Sequence, residues 1–276
     1  MLPIHIALTT LTNRVSHSEL SEVAAALQKQ VTRDFGPIWR VHATVDAFPA
    51  DHIPSGYWPI FVQDSIDVDG ALGYHETNAH GIPYALVLYG STWSLTASHE
   101  CLEMLGDPTA RRVRSGLSPI TGQGRVEFLV EVCDPCEAGL YAYGVNGVPV
   151  SDFYTPRFFD PVVVPGGHYS FTGAIEYPLQ VLRDGYLSWF AQDGLIYQAR
   201  ADGDGTMTFT DGIDPAGRQG RPLREFVDAL TPKHHHRLSN AVLSKELLAA
   251  GEHALAARSA HSARIMADIR RRFSGQ

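Results

Sequence analysis

Two hydrophobic patterns follow one another in the first third of the chain. Residues 3–11, "PIHIALTTL", are β-branched and alternating, which predicts a strand. Residues 16–35, "SHSELSEVAAALQKQVTRDF", carry apolar residues at helical spacing behind a serine-rich start that can cap a helix. Three more strands are predicted by "WRVHATVDAF", "WPIFVQDSI" and "IPYALVLYG", with turn-rich pieces such as "DVDGALGYHETNAHG" between them. This order of elements predicts an α/β (α+β) fold.

A second helix is predicted over residues 94–105, within the segment "SLTASHECLEMLGDP" that runs from Ser94 to Pro108. A serine or threonine just upstream can accept the first free backbone N–H groups of this helix. Gly106 and Pro108 supply the usual terminator and breaker at its other end. We therefore expect a short helix with well-marked ends.

Beyond this predicted helix, the sequence pattern changes at two places. Residues 110–200 have a strand-and-loop pattern, which predicts a β-rich second half. A Gly/Asp-rich passage follows, and beyond it alanine- and leucine-rich helices end in arginines that suit the helix dipole. We predict a metal-binding domain over 1–200, a linker over 201–220 and a basic helical C-terminal extension over 221–276.

Composition predicts a globular protein of the cytoplasm. The chain has 276 residues, of which 44% are hydrophobic, enough for one large core or two modest ones. It contains no apolar run near the roughly 20 residues that span a bilayer, and its start does not read as a signal peptide. The three cysteines are an odd number, which argues against the disulfide framework of a secreted protein.

Charge is divided unevenly along the chain. Residues 1–220 hold 12 Lys and Arg against 25 Asp and Glu, a balance of −13, whereas residues 221–276 hold 10 against 5, a balance of +5. An acidic body without interleaved aromatic and basic residues argues against nucleic-acid binding. The basic tail helices are expected to dock on the body, on a second copy of the chain or on a protein partner rather than on a membrane.

The predicted helix 94–105 carries a candidate metal motif. His99 and Glu103 are four residues apart and share a face, with Glu100 about a quarter-turn aside. This is the arrangement of the zincin helix H-E-x-x-H with the second histidine replaced by glutamate. In that scheme His99 and Glu103 bind the metal, and Glu100 is the general base for a metal-activated water.

The motif needs a third protein ligand. The position that would supply it in metzincins is occupied by Thr109, which is unsuitable, so we look to the acidic turn "EVCDPCE". Glu137 is the preferred ligand there, with Asp134 next. Tyr154 or His168 could donate a hydrogen bond to an oxyanion, although neither has a diagnostic spacing.

Three segments carry a resemblance to a known family. "WSLTASHECLEMLGDP", "VEFLVEVCDPCE" and "GVPVSDFYTPRFFDP", in this order, resemble a family of largely uncharacterised bacterial and phage-encoded proteins with a zincin-like helix. The similarity spans about residues 74–190. It implies a metallopeptidase-like fold with a mixed sheet, and a metal held by His99, Glu103 and a residue of the "DPCE" turn. It implies little about the substrate.

The cysteines offer a rival site. Cys101 and Glu103, followed by Cys133 and Cys136, match the skeleton of a zinc deaminase, in which thiolates bind the metal and the glutamate moves protons. Val132 stands where that motif has proline, and Cys101 lies inside a helix rather than at its start. His75 and His80 precede the helix and could also approach it, without a diagnostic spacing.

These observations combine into one functional prediction. We expect a zinc-dependent hydrolase, with iron or manganese as other metals that such an anionic site could take, acting on a peptide or a small amide. A non-catalytic protein that retains the zincin framework for binding or assembly is the first alternative. The zinc deaminase is the second.

Overall fold

The computed structural model describes residues 3–230, apart from 69, 220 and 222. The helices are α1 (His17–Lys29), α2 (Gly36–Trp39), α3 (Trp93–Gly106) and α4 (Leu223–Asp228), and a π-helical segment (Gln30–Phe35) joins α1 to α2. The strands are β1 (Ile4–Thr10), β2 (Ala43–Ala47), β3 (Trp58–Gln63), β4 (Gly73–Thr77), β5 (Pro83–Leu88), β6 (Val113–Leu117), β7 (Arg125–Leu129), β8 (Tyr143–Val145), β9 (Val148–Val150), β10 (Tyr186–Phe190), β11 (Ile196–Ala201) and β12 (Met207–Phe209).

The first sheet has the strand order β2-β1-β3-β5-β4. Its first four strands are parallel, and β4 runs antiparallel to β5 at the edge. The inner strand β1 is apolar because both of its faces are covered, and Ile6, Ala7 and Leu8 are fully buried. The predictions of an α+β fold with a mixed sheet and of strands at β1, β2, β3 and β5 are confirmed.

Strand β4 lies where the sequence pattern predicts a turn-rich piece. Tyr74, His75 and Glu76 are all buried in this strand, and two of the three are polar. The sequence therefore lacks the alternation of apolar and polar residues that marks a half-buried strand. His75 lies opposite Ala85 of β5 and close to α3.

The predicted N-terminal helix is confirmed as α1 and its π-helical continuation. Ser16 caps α1 by accepting the backbone N–H of Glu19 at 3.2 Å. In the π-helical segment, Gln30 is fully buried and accepts a hydrogen bond from Ser98 of α3 at 2.8 Å while donating to the Ser151 carbonyl at 2.9 Å. This network fixes α3 against the chain that follows β9.

The second sheet is entirely antiparallel, with the order β12-β11-β10-β7-β6, and β8 and β9 form a separate hairpin. The β-rich second half is thus as predicted.

The segment predicted as a linker, 201–220, is instead partly built into the second sheet. It contains β12, which pairs with β11, and Ile213, which bridges to Ile196.

Helix α4 belongs to the body rather than to a separate extension. Its Leu223, Phe226 and Val227 form an apolar cluster with Leu129 and Ile196. The remaining part of the predicted extension, 231–276, lies outside the described residues. Along the described chain, every helix is too short or too polar to cross a bilayer.

Candidate metal centre

A small polar cleft lies where α3, β4, the segment 131–137 and α4 meet. Its volume is about 50 Å³, which is room for metal ions or a few water molecules. Most of its lining side chains are ionisable, namely His75, His99, Glu100, Glu103, Glu131, Asp134, Glu137, Tyr186 and Arg224.

His99 is central to the predicted ligand set. Its Nε2 lies 3.3 Å from Glu103 Oε2 and 3.3 Å from Asp134 Oδ1. Two ligand atoms that share a tetrahedral zinc ion at the usual bond lengths are about 3.3 Å apart. Ligand atoms of His99, Asp134 and Glu137 also lie within 4.8 Å of one another. The structure therefore brings all four predicted metal-binding residues together.

Close packing fixes the two segments that carry these ligands. A Cβ on Gly106, the last residue of α3, would lie 2.7 Å from Val132 Cγ1, and Glu103 Oε1 accepts the backbone N–H of Cys133 at 3.2 Å. The turn Asp134–Cys136 is approached equally closely, because a Cβ on Gly185 would lie 2.7 Å from the Asp134 carbonyl oxygen. Glycine at position 185 lets its backbone approach that of the turn, and glycine at position 106 leaves room for the Val132 side chain.

Glu100, the predicted general base, is 4% exposed and lines the same cleft. Its Oε2 lies 3.6 Å from His75 Nδ1, and the same nitrogen lies 3.6 Å from Glu103 Oε2. A Cβ on Gly73 of β4 would lie 2.6 Å from Glu100 Oε1. The edge strand β4 therefore packs directly against the Glu100 side chain.

Arg224 is the one lysine or arginine among the residues that line the cleft. It is 1% exposed, its Nη2 lies 3.1 Å from Asp107 Oδ2, and its Nη1 pairs with Glu131 Oε1. Asp107 in turn accepts the backbone N–H of Arg112 at 2.7 Å. Arg224 thus joins α4 to the end of α3 and to Glu131.

The buried charges shift the pKa values of their neighbours. Burial opposes protonation of His99, but Glu103 and Asp134 outweigh it and raise the His99 pKa well above its usual range. Burial alone would raise the pKa of Glu103, whereas the positive charge of His99 beside it lowers that pKa to about 2. Burial prevails at Glu100 and Asp134 and raises both pKa values. The carboxylates of the cleft therefore favour a cation at His99.

The three cysteines do not form a cluster of their own in the described chain. Cys101, Cys133 and Cys136 are free and buried, and burial raises the pKa of each thiol. The possible metal-binding groups include only Cys133, together with His99 and Glu103. This geometry gives the deaminase-like set of three thiolates no support.

The two predicted oxyanion donors do not line the cleft. Tyr154 is fully buried and stacks on Phe158 with ring centroids 4.4 Å apart, and its hydroxyl has no hydrogen-bond partner among the described residues. His168 lines a different groove, beside Arg112 and Arg157. The Tyr154 hydroxyl nevertheless lies close enough to Glu103 and Asp134 for their charges, after burial, to raise its pKa.

Among the residues of the cleft that were not predicted as ligands are Glu131, His75 and Arg224. Glu131 is the first residue of the acidic segment "EVCDPCE", so its place in that segment could have indicated it as a metal ligand. His75 was noted, but its strand was not recognised. Arg224 was assigned to a separate extension, and no local pattern links it to Asp107 or Glu131.

Comparison of the chain with protein families, curated proteins and solved structures found no match. The site is therefore interpreted from its own geometry.

Proposed function

We propose that the protein is a metal-dependent hydrolase, in which His99, Glu103, Asp134 and Glu137 bind a divalent metal ion. The observation that carries the proposal is the position of His99 Nε2, 3.3 Å from carboxylate oxygens of both Glu103 and Asp134. One imidazole among carboxylates suits zinc, and also iron or manganese.

The charge of the cleft supports a metal ion. Five carboxylates line it, those of Glu100, Glu103, Glu131, Asp134 and Glu137, together with the single guanidinium of Arg224. Their formal charge is −4 when both imidazoles are neutral. Gathering uncompensated charges away from water costs several kcal/mol per ion, and a bound cation offsets this cost.

A divalent metal would supply Lewis acidity and lower the pKa of water at the site. Glu100 is placed to take a proton there, because it lines the cleft and its burial raises its pKa towards neutrality. His99 is only partly buried, with 15% of its side chain accessible, so a substrate can reach the site from its side. We propose a peptide or a related amide as substrate.

The wider predictions rest on sequence and composition. A zincin-like family is supported by the position of the motif on α3 beside the mixed sheet, and it is part of the proposal. A cytoplasmic location is proposed because the three cysteines are free thiols, as expected in a reducing compartment.

Metal analysis of the full-length protein tests the proposal. The purified chain is stripped with a chelator, reloaded with Zn²⁺ and analysed for bound metal. We expect the wild type to bind zinc, His99→Ala and Glu103→Ala to lose at least one bound ion per chain, and Glu127→Ala to keep the wild-type content, because Glu127 is exposed on β7. Zinc that persists in Glu103→Ala but disappears in Cys133→Ala would instead identify a thiolate site.

Glu100→Gln separates metal binding from catalysis. It preserves the shape of the side chain and removes its basicity, so we expect retained zinc and a fall of at least about 100-fold in hydrolysis of a peptide and amide panel. An unchanged rate would rule out Glu100 as the base. A wild type that binds zinc and cleaves nothing would favour the non-catalytic framework.

A further inference from the structure

A second group of potential ligands lies next to the first. Ligand atoms of His75, Glu103 and Glu131 are within 4.8 Å of one another, and all three residues are buried. They come from three separate parts of the fold, namely β4, α3 and the segment after β7. No local sequence motif connects them.

His75 provides an observation independent of the carboxylates. It is 4% exposed and lines the cleft, and its Nε2 has no hydrogen-bond partner in the described part of the chain. Its Nδ1 lies 3.6 Å from Glu100 Oε2 and from Glu103 Oε2, beyond the length of a good hydrogen bond. Buried imidazole nitrogens are normally satisfied, so this ring is poorly explained by the protein groups around it.

Glu131 is oriented for a similar role. Arg224 pairs with its Oε1, while its Oε2 is buried and has no hydrogen-bond partner among the described residues. The contact with Arg224 fixes the carboxylate, which leaves the second oxygen for another cation. Outer partners of this kind orient metal ligands in known sites.

Glu103 is shared between the two groups. Its Oε2 lies 3.3 Å from His99 Nε2 and 3.6 Å from His75 Nδ1, so one carboxylate oxygen stands between the two imidazoles. Two metal ions about 3.5–4 Å apart, joined by a bridging ligand, are a common arrangement in metallohydrolases. Two divalent ions would also offset more of the negative charge of the five lining carboxylates than one ion does.

We propose that the cleft binds a second divalent metal ion through His75, Glu131 and Glu103, with Glu103 bridging the two ions. This inference rests on the proposed metal at His99 and extends it to a dinuclear centre. Arg224 is then a positioning residue that orients Glu131.

Zinc stoichiometry tests the second site separately from the first. The chelator-stripped full-length chain is dialysed against buffered free Zn²⁺, and bound zinc per chain is measured. We expect two ions in the wild type and one in His75→Gln and in Glu131→Gln. The matched controls His80→Gln and Glu127→Gln alter exposed residues of the same type and should keep two.

Each outcome decides between the proposals. One ion in the wild type and in both variants would overturn the second site and leave the first intact. No zinc in the wild type would overturn both. Two ions that persist in His75→Gln and Glu131→Gln would show that the second ion binds elsewhere, which also overturns this assignment.

A spectroscopic measurement on the wild type does not depend on the folding of any variant. Loaded with Mn²⁺, a bridged pair of ions gives an exchange-coupled paramagnetic resonance spectrum, whereas separate ions give a single-ion spectrum. We expect the coupled spectrum for the fully loaded wild type. A single-ion spectrum at full loading would overturn the bridged centre.

Discussion

His99 is the residue on which the account of the site depends most. It lies between two buried carboxylates, which raise its pKa, and a metal ion requires the same nitrogen in its neutral form. A proton and a metal ion therefore compete for one position. Asp134, whose pKa is also raised, adds to this competition in the same direction.

Metal affinity is accordingly expected to rise with pH. Below the raised pKa of His99, each ion that binds must displace the His99 proton, so affinity should increase about tenfold per pH unit for each proton released. Above that pKa the dependence on His99 should disappear. Zinc affinity measured against a competing chelator at several pH values checks the slope, and calorimetry in buffers of different ionisation enthalpy counts the protons. An affinity independent of pH across the neutral range would contradict this assignment of His99.

At the scale of elements, the contact between β4 and α3 sets the position of Glu100. Gly73 permits this contact, since a Cβ there would lie 2.6 Å from both Glu100 Oε1 and Thr96 Cγ2. The surroundings of Gly90 are open, and a Cβ there would meet no atom within 4 Å. The two glycines therefore form a matched pair for substitution.

Gly73→Ala is expected to impair activity more than it impairs folding. The new methyl group displaces the end of the Glu100 side chain, which can move at modest cost in stability, about 1–3 kcal/mol. We expect at least about a tenfold loss of hydrolysis with the zinc at His99 retained, and little change in Gly90→Ala. Rates, zinc content and urea unfolding of the two variants check this. Equal rates in both would show that β4 does not position Glu100.

Local patterns predicted the elements that have local causes. Helix α3 and the buried strands β1, β3 and β5 follow from periodicity, caps and apolar runs, and the HExxE spacing alone placed His99, Glu100 and Glu103 together. Strand β4 could not be predicted in this way because two of its three buried residues are polar, and one of them, His75, lines the cleft. The partnership of Arg224 with Asp107 joins residues 117 positions apart, so only the folded chain reveals it.

At the scale of the whole molecule, the cleft forms where the edge of the first sheet, α3, the segment 131–137 and α4 meet. The edge of the first sheet supplies His75, the chain after β7 supplies Glu131 and Asp134, and α4 supplies Arg224. The charge balance along the sequence predicted a boundary near residue 220. The packing of Leu223, Phe226 and Val227 on Leu129 and Ile196 crosses that boundary.

A pair of truncated chains tests whether residues 221–230 belong to the body. A chain that ends at residue 219 exposes Leu129 and Ile196, which are 1% and 0% exposed in the full chain, and leaves Glu131 without its guanidinium. Burial of large apolar side chains contributes about 1.5–3 kcal/mol each, so a chain that ends at residue 230 should melt at least about 10 °C higher. Equal melting temperatures of the two chains would instead support the predicted domain boundary at residue 220.

The central claim is that the metal is held by imidazole and carboxylates rather than by thiolates. X-ray absorption at the zinc edge of the loaded full-length protein tests it most directly, because Zn–N and Zn–O bonds of about 2.0–2.2 Å are distinct from Zn–S bonds of about 2.3 Å. The account predicts a first shell of nitrogen and oxygen with an imidazole signature and no sulfur. A sulfur shell at about 2.3 Å, or a protein that takes up no stoichiometric zinc, would contradict it.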